Sequence, residues 1–257
     1  RYAGGISGGM YEITSGTISN CINYMNINMN DNYSGGIVAT LEFSCKNITI
    51  SNCINNGNIS GKGYMGGIEG GYTYASSSTI ENCLNKGLIK GMDYNTSYNG
   101  GIISKAQGIT IKNCSNVADV YGGSYVGGIS GTADSNITNC YNIANVYGRS
   151  EVGGITGCSY DVNVISNCYN LGKIGVYPNI DPSSTLDEFG GISGNGAYSI
   201  ANCYNNNTVS GNIRVGGITG YSPSVTMTNS FYLYNANYKG NGSTPDATGV
   251  VESISTD

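Results

Sequence analysis

The stretch Ile137-Thr138-Asn139-Cys140-Tyr141-Asn142 decides the fold, because the chain contains eight versions of it. Seven have the form Asn-Cys-x-Asn, beginning at Asn20 and Cys21, and the eighth, Asn229-Ser230-Phe231-Tyr232, has serine in place of cysteine. The six later copies of the pair are Asn52 and Cys53, Asn82 and Cys83, Asn113 and Cys114, Asn139 and Cys140, Asn167 and Cys168, and Asn202 and Cys203. A second phrase, Gly-Gly-Ile, alternates with the first and begins at Gly4, Gly35, Gly66, Gly100, Gly127, Gly153, Gly190 and Gly216. Two alternating phrases of this kind indicate a repeat array.

The spacing of the repeats predicts the architecture. Successive cysteines are 26 to 35 residues apart, and every repeat carries three short apolar segments separated by Gly or Asn bends. One coil cannot bury its inward side chains alone, whereas stacked coils pair their backbone groups along the axis. We therefore predict an all-β chain that forms a parallel β-helix, a three-sided β-solenoid of about eight coils with one 26–35-residue repeat per coil.

The repeats also set the predicted domain limits. We assign residues 1–235 to the β-helix and residues 236–257, which lack the repeat, to a C-terminal cap or linker. The chain opens inside a repeat, at Tyr2-Ala3-Gly4-Gly5, which suggests a piece of a longer multidomain chain. Insertions at residues 41–46, 72–78, 92–98 and 175–188 are predicted to be loops.

Composition excludes several classes of function. The net charge is −5, with no basic clusters, which argues against nucleic acid as a partner. No apolar run approaches the roughly 18 residues that a membrane-spanning helix needs. The chain has no histidine and no closely spaced cysteine pair, so we expect neither a zinc site nor another metal or cofactor.

The cysteines are predicted to be structural. Seven of the nine occupy one repeat position, where a free thiol would act as a small buried apolar group. In-register side chains point the same way, which makes a disulfide torsion awkward. Cys45 and Cys158 lie outside the column and several coils apart, so we do not expect them to pair.

The asparagine before each cysteine fits a bend, and its amide can bond its neighbours along the axis. The double glycines either permit a positive φ or allow close contact between coils.

The first candidate binding surface is the position after the cysteine. In the last four repeats this position is aromatic, at Tyr141, Tyr169, Tyr204 and Phe231. An outward ladder of this kind could receive sugar rings or a partner protein. The simpler alternative, which we favour, is that the rings cover the sheet or pack under a loop.

The second candidate is acidic. Asp181, Asp187 and Glu188 lie in the longest insertion, and Glu151 and Asp161 lie in the neighbouring coil. Paired carboxylates on a β-helix could cleave glycosidic bonds, and clustered oxygens could bind calcium. The acids match no known loop signature, and we identify no Arg, Lys or His to act as a lyase base. We therefore interpret them as solvated loop acids and predict no catalytic residue.

The phrase Val152 to Gly157, followed by Ile165 to Asn170, resembles the GLUG repeat of bacterial secreted and surface proteins. The same phrases recur at residues 126–131 with 137–142 and 215–220 with 227–231, and the resemblance covers about residues 1–235. In that family the repeats accompany immunoglobulin-A-cleaving metallopeptidases and adhesins. The His-Glu-x-x-His motif of such a peptidase is absent here, since the chain has no histidine.

These observations lead to one expected function and two alternatives. We expect a non-catalytic extracellular module, on the cell surface or secreted, that acts as a stalk or as an adhesin for a host glycan or protein. The first alternative is a polysaccharide-degrading β-helix that uses the loop carboxylates. The second is the substrate-positioning region of a larger secreted protease.

Overall fold

The computed structural model describes residues 2–30, 32–42, 44–92, 97–160, 163–178, 187–233, 239–242 and the backbone of 251–254. Within these residues the chain is all β, without a helix. Successive repeats pair in parallel and in register, so the chain winds into a β-solenoid of about seven turns with three sheets. The predicted three-sided parallel β-helix is therefore confirmed. The eight Gly-Gly-Ile phrases enclose about seven complete turns because each turn runs from one phrase to the next.

The largest sheet contains the strands on both sides of each Gly-Gly-Ile bend and the strands that lead to each cysteine. Its strands are Tyr2–Gly4, Gly16–Ser19, Tyr33–Gly35, Ile48–Ser51, Tyr64–Gly66, Glu69–Glu81, Asn99–Gly100, Ile103–Lys112, Ser124–Gly127, Ser130–Asp134, Ile137–Thr138, Ser150–Gly153, Thr156–Cys158, Val164–Ser166, Asp187–Gly190, Ser193–Asn195, Ser199–Ala201, Ile213–Tyr221, Thr226–Thr228 and Lys239–Asn241.

The second and third sheets complete each coil. The second sheet starts directly after each cysteine, with strands Ile22–Asn23, Ile54–Asn55, Leu84–Asn85, Ser115–Asn116, Tyr141–Asn142, Tyr169–Asn170, Tyr204–Asn205, Ser230–Leu233 and Val251–Ile254. The third sheet follows, with strands Ile27–Met29, Ile59–Gly61, Ile89–Gly91, Val120–Tyr121, Val146–Gly148 and Ile174–Val176.

The extra residues of the third repeat do not form the predicted loop. Residues 72–78 lie inside the long strand Glu69–Glu81, which pairs with Ile103–Lys112 of the next coil. Two shifts in register absorb the additional residues, and the neighbouring strand bonds the backbone groups that a loop would expose to water.

At the other end of the chain, Lys239–Asn241 and Val251–Ile254 stack in parallel on the last coil. The part of the chain that the structure describes contains no helix long and apolar enough to cross a membrane.

The asparagine before each cysteine adopts the left-handed backbone conformation expected of a bend. Asn139 and Asn52 both have a φ of 54°, and the equivalent residues in the other coils have similar values. Their side chains bond along the axis, as predicted: the amide of Asn139 donates to Asn113 Oδ1 at 3.2 Å. These amides are on the surface, so they form hydrogen bonds at the bend without occupying space in the core.

A second asparagine ladder, two residues after the cysteines, is buried and was not predicted. In this ladder the Nδ2 of Asn142 donates to Asn170 Oδ1 at 2.8 Å and to the carbonyl of Ala144 at 2.6 Å. The same pair of bonds recurs from Asn23 to Asn170, and Asn205, which Tyr232 follows in register, keeps only the bond to a carbonyl. The ladder consists of Asn23, Asn55, Asn85, Asn116, Asn142, Asn170 and Asn205, which are all at most 2% exposed.

This buried ladder divides each coil into two hydrophobic cores. Ile129 and Cys140 belong to the larger core, whereas Val126 and Val146 belong to the smaller one. Between them, the second glycine of each pair packs on the ladder: a Cβ at Gly128 would lie 2.4 Å from Cγ of Asn142. Among the described residues the double glycines have no positive φ. They therefore serve close packing, the second of the two predicted roles, and they narrow the coil at this bend.

The predicted ladder of free thiols is confirmed. All nine cysteines are unpaired, Cys45 and Cys158 included. Each column thiol contacts the carbonyl two residues earlier; Cys140 Sγ, for example, lies 3.2 Å from the carbonyl oxygen of Thr138. Burial raises the pKa of Cys114, which keeps this thiol protonated and unreactive.

We expect alkylation of the native protein to modify Cys21 first, because it is the one cysteine of partial exposure and the others are buried. In denaturant without reductant, mass spectrometry should then detect nine labelled thiols. Fewer labels after denaturation, with a matching loss of hydrogen mass, would contradict the thiol ladder. Equal labelling of Cys21 and Cys114 in the native state would contradict the packing.

Candidate functional site

The predicted aromatic column lies on the outer face of the second sheet. The rings of Tyr141 and Tyr169 stack at 4.9 Å, and those of Tyr169 and Tyr204 stack at 5.0 Å, with planes within 5° of parallel. Phe231 continues the column in register after Tyr204. Because neighbouring rings cover each other's faces, the interior of this ladder presents ring edges and hydroxyls to solvent. A ligand here would therefore contact ring edges and hydroxyls rather than an aromatic face.

A longer aromatic column, which was not predicted, lies two residues before each double glycine. Its rings stack closely in the centre, at 4.7 Å between Tyr64 and Tyr98 and at 4.5 Å between Tyr98 and Tyr125. In the following coils the same position becomes charged. In chain order the column reads Tyr2, Tyr33, Tyr64, Tyr98, Tyr125, Glu151, Glu188 and Arg214. The recurrence of Tyr-x-Gly-Gly was visible in the sequence and is the signal that could have identified it.

A second column faces the first across the Gly-Gly-Ile bend, and side chains of the two columns contact each other. Side chains seven residues apart meet there: Lys105 lies 5.4 Å from the ring centre of Tyr98, and Arg214 lies 4.2 Å from that of Tyr221. The second wall consists of Tyr72, Lys105, Thr132, Cys158, Asn195 and Tyr221, which are in register with one another. We call the two columns together the tyrosine groove; it runs along the solenoid axis.

Four residues of the first wall have a left-handed backbone that is unusual for bulky side chains. Tyr125, Glu151, Glu188 and Arg214 have φ values of 58°, 53°, 68° and 51°. Bulky side chains rarely adopt this left-handed region, which costs on the order of 1–3 kcal/mol per residue and is found most often at functional sites. The stacked coils hold these residues in place because each lies between paired strands above and below. The strained backbone therefore fixes the direction in which these four side chains leave the first wall.

The charged end of the groove brings together part of the predicted acidic cluster. Arg214 Nη1 lies 2.5 Å from Glu188 Oε1 and 3.3 Å from Asp187 Oδ2. Asn195 Nδ2 donates to the other oxygen of Glu188 at 2.6 Å. Glu188 is only 8% exposed, so the interpretation of this residue as a solvated loop acid was wrong. The failure has a physical cause: Arg214 comes from the next coil, and only stacking places it beside the acid.

The other predicted acids divide into two groups. Asp161 and Asp181 lie outside the described residues. Asp187 and Glu188 form salt bridges with Arg214, whose positive charge disfavours a calcium ion at the same place. The described part of the chain contains no group of three acidic or thiol side chains placed to hold a metal ion.

Glu151 is the unusual acid of the cluster. Burial raises the pKa of Glu151 to about 7, and the negative charges of Glu188 and Asp187 add to this effect. Cys158 and Asn195 act in the opposite direction by hydrogen bonding to the carboxylate. The Oε2 atom of Glu151 is buried without a hydrogen-bond partner among the described residues. The groove therefore holds a carboxyl group that changes protonation near neutral pH.

The titration of Glu151 should make stability depend on pH. Its pKa is raised from 4.5 to about 7 in the folded chain, so the folded state binds this proton more tightly. The free energy of unfolding should fall as the pH rises from 4.5 to about 7 and should level off at higher pH. Glu151→Gln should reduce this fall and should be more stable than the wild type at pH 8 by about 2 kcal/mol. Urea titrations at pH 5, 6, 7 and 8 measure the difference.

The control for this prediction is Glu12→Gln, which removes a carboxylate from the exposed surface. Its stability should follow that of the wild type at every pH. Parallel curves for the wild type and Glu151→Gln would show that Glu151 is ionised in both states and would contradict the prediction.

Comparison of the chain with protein-family models, with curated proteins and with solved structures found no match. The functional assignment therefore rests on the fold and on the tyrosine groove.

Proposed function

We propose that this chain is a rigid, non-catalytic module of a bacterial extracellular protein and that it binds an extended glycan along the tyrosine groove. The carrying observation is the unbroken column from Tyr2 to Tyr125, in which neighbouring rings lie 4.5–5.5 Å apart. The resemblance of the repeats to those of bacterial surface proteins supports the extracellular location. The groove follows the axis, so an extended chain of sugars can contact several coils at once.

The chemistry of the groove favours a neutral, hydroxyl-rich ligand in its central part. Burial raises the pKa of Tyr98 and of Tyr125, so both phenols keep their protons and can donate as well as accept hydrogen bonds. Lys105 adds a further donor beside the rings. A protein ligand would instead require an apolar patch, and these half-buried rings expose mainly edges and hydroxyl groups.

A glycan array tests the proposal with Tyr98→Phe and Tyr125→Phe combined. Phenylalanine retains the stacking and removes the hydroxyls, so the fold should survive. We expect affinity for the bound glycan to fall by about fivefold for each hydroxyl lost. Tyr141→Phe with Tyr169→Phe, on the other ladder, is the matched control and should bind like the wild type. An array without any bound glycan, or unchanged binding by the groove variant, would refute the proposal.

A second candidate function is glycan cleavage at the charged end of the groove. It is favoured by one observation: Glu151, with a pKa of about 7, interacts with Glu188, which forms a salt bridge with Arg214. Glycosidases use such a pair, with one carboxyl protonated and the other charged. We rank it second because Glu188 and the Oε2 atom of Glu151 are shielded from solvent. Release of reducing sugar that is lost in both Glu151→Gln and Glu188→Gln would reverse this ranking.

A further inference from the structure

A pocket of about 460 Å³ lies on the outer face of the third sheet, away from both tyrosine ladders already described. Its volume is in the range of small-molecule sites in proteins, about 300–1,000 Å³. Its described lining consists of Leu88, Lys90, Asp119, Tyr121, Tyr177 and Pro178. None of these residues belongs to the tyrosine groove, so the pocket is a separate candidate site.

The ring of Tyr121 is at the end of an aromatic stack. In register, its neighbours are Tyr147 on one side and Lys90 on the other. The Tyr147 ring stacks on it at 5.2 Å, whereas the lysine offers no ring to cover the opposite face. In the other ladders the interior rings cover each other on both sides. Tyr121 therefore has no in-register aromatic neighbour on the Lys90 side, and its side chain lines the pocket.

A second tyrosine makes the pocket rigid. The Tyr177 ring stands nearly perpendicular to that of Tyr121, at 5.4 Å and 81°. Tyr177 is 7% exposed, and its backbone N–H donates to the carbonyl of Gly148 at 2.9 Å. Leu88 and Pro178 add apolar side chains to the lining of the pocket. The pocket is therefore formed before a ligand binds, which lowers the entropic cost of binding.

The polar groups of the pocket supply one acceptor and one donor. Asp119 is held in position, since Oδ1 accepts the Asn145 N–H at 2.9 Å and Oδ2 accepts the Tyr121 hydroxyl at 3.3 Å. Each carboxylate oxygen can accept a second hydrogen bond. Lys90 is exposed and forms no salt bridge within the described residues. Their opposite charges balance, which favours an uncharged ligand with hydroxyl groups over an anion or a cation.

We propose that this pocket binds a single neutral pyranose ring, with a C–H face of the sugar on Tyr121 and its hydroxyls bonded to Asp119 and Lys90. The site is independent of the proposed glycan groove, because the two share no residue. The ligand class follows from the tyrosine rings that line the pocket, the size of the pocket and the balanced pair of charges.

Saturation-transfer NMR with methyl glycosides of neutral hexoses tests the proposal. The wild type should transfer saturation to the ring protons of at least one glycoside. Tyr121→Leu should weaken binding about tenfold by removing the aromatic face, and Lys90→Gln should weaken it about threefold by removing a charged donor. Tyr24→Leu changes a tyrosine that is 74% exposed elsewhere and should bind like the wild type. Lys90 is on the surface, so Lys90→Gln should fold normally. It therefore still tests the proposal if Tyr121→Leu is unstable.

Three results would overturn the proposal: no transfer to any neutral glycoside, unchanged binding in both pocket variants, or binding of methyl uronides or choline with no binding of neutral sugars. The groove is tested separately by Tyr98→Phe with Tyr125→Phe. That variant should leave monosaccharide binding at the pocket unchanged, so failure of one site is distinguishable from failure of the other.

Discussion

Gly128→Ala should cost about 4 kcal/mol or more of unfolding free energy, which is exceptional for a single methyl group. The new Cβ would lie 2.2 Å from the carbonyl oxygen of Gly154 and 2.4 Å from Cγ of Asn142. Neither obstacle can move freely: the first is backbone of the next coil, and the second is a buried amide fixed by hydrogen bonds to both neighbouring coils. Urea unfolding followed by circular dichroism measures the loss.

The matched control is Gly175→Ala, in the third sheet. There the nearest atom to an added Cβ is Cε1 of Tyr147 at 3.4 Å, an ordinary contact, and the φ is not positive. We expect a change within about 1 kcal/mol. A similar effect at the two glycines would show that the tight approach of Gly128 to the asparagine ladder is unimportant.

Asn142→Ala should destabilise the protein by about 3–5 kcal/mol, because one truncation removes three buried hydrogen bonds. The Nδ2 of Asn116 would keep only its bond to the carbonyl of Ala118, Oδ1 of Asn170 would keep only the Gly172 N–H, and the carbonyl of Ala144 would lose the Asn142 donor. Water cannot replace these bonds easily, since the ladder lies between two hydrophobic cores. The free energy from urea titration tests this value.

Asn139→Gly is the control, three residues away in the same repeat. This asparagine is in the left-handed region, with a φ of 54°, which glycine adopts without steric cost. Its amide bonds Asn113 on the surface, where water can substitute. The change should therefore cost about 1 kcal/mol or less. If Asn139→Gly were as damaging as Asn142→Ala, the surface ladder rather than the buried one would be the main polar support of the coil.

These two asparagines also show how far the sequence could be interpreted. Both recur in every copy of Asn-Cys-x-Asn, and the repeat alone predicts stacked amides. Only the winding of the coil shows that Asn139 turns outward at a corner and Asn142 turns inward between two cores. The same limit applies to the aromatic residues. Tyr141 and Tyr98 are equally periodic, but only Tyr98 lies beside a second wall of polar side chains.

The amino-acid sequence by itself determined the class of fold, the register and the free thiols, because a period of 26–35 residues with three apolar segments has few other ways to bury them. The tertiary structure alone decided which side chains form a site. Glu151 and Glu188 are 37 residues apart in sequence but adjacent along the axis, and Arg214 joins them from the next coil. Stacking converts a repeat position into a continuous column, and the narrowing at the double glycine brings two columns together as a groove. Those contacts depend on coil geometry, which local sequence patterns do not specify.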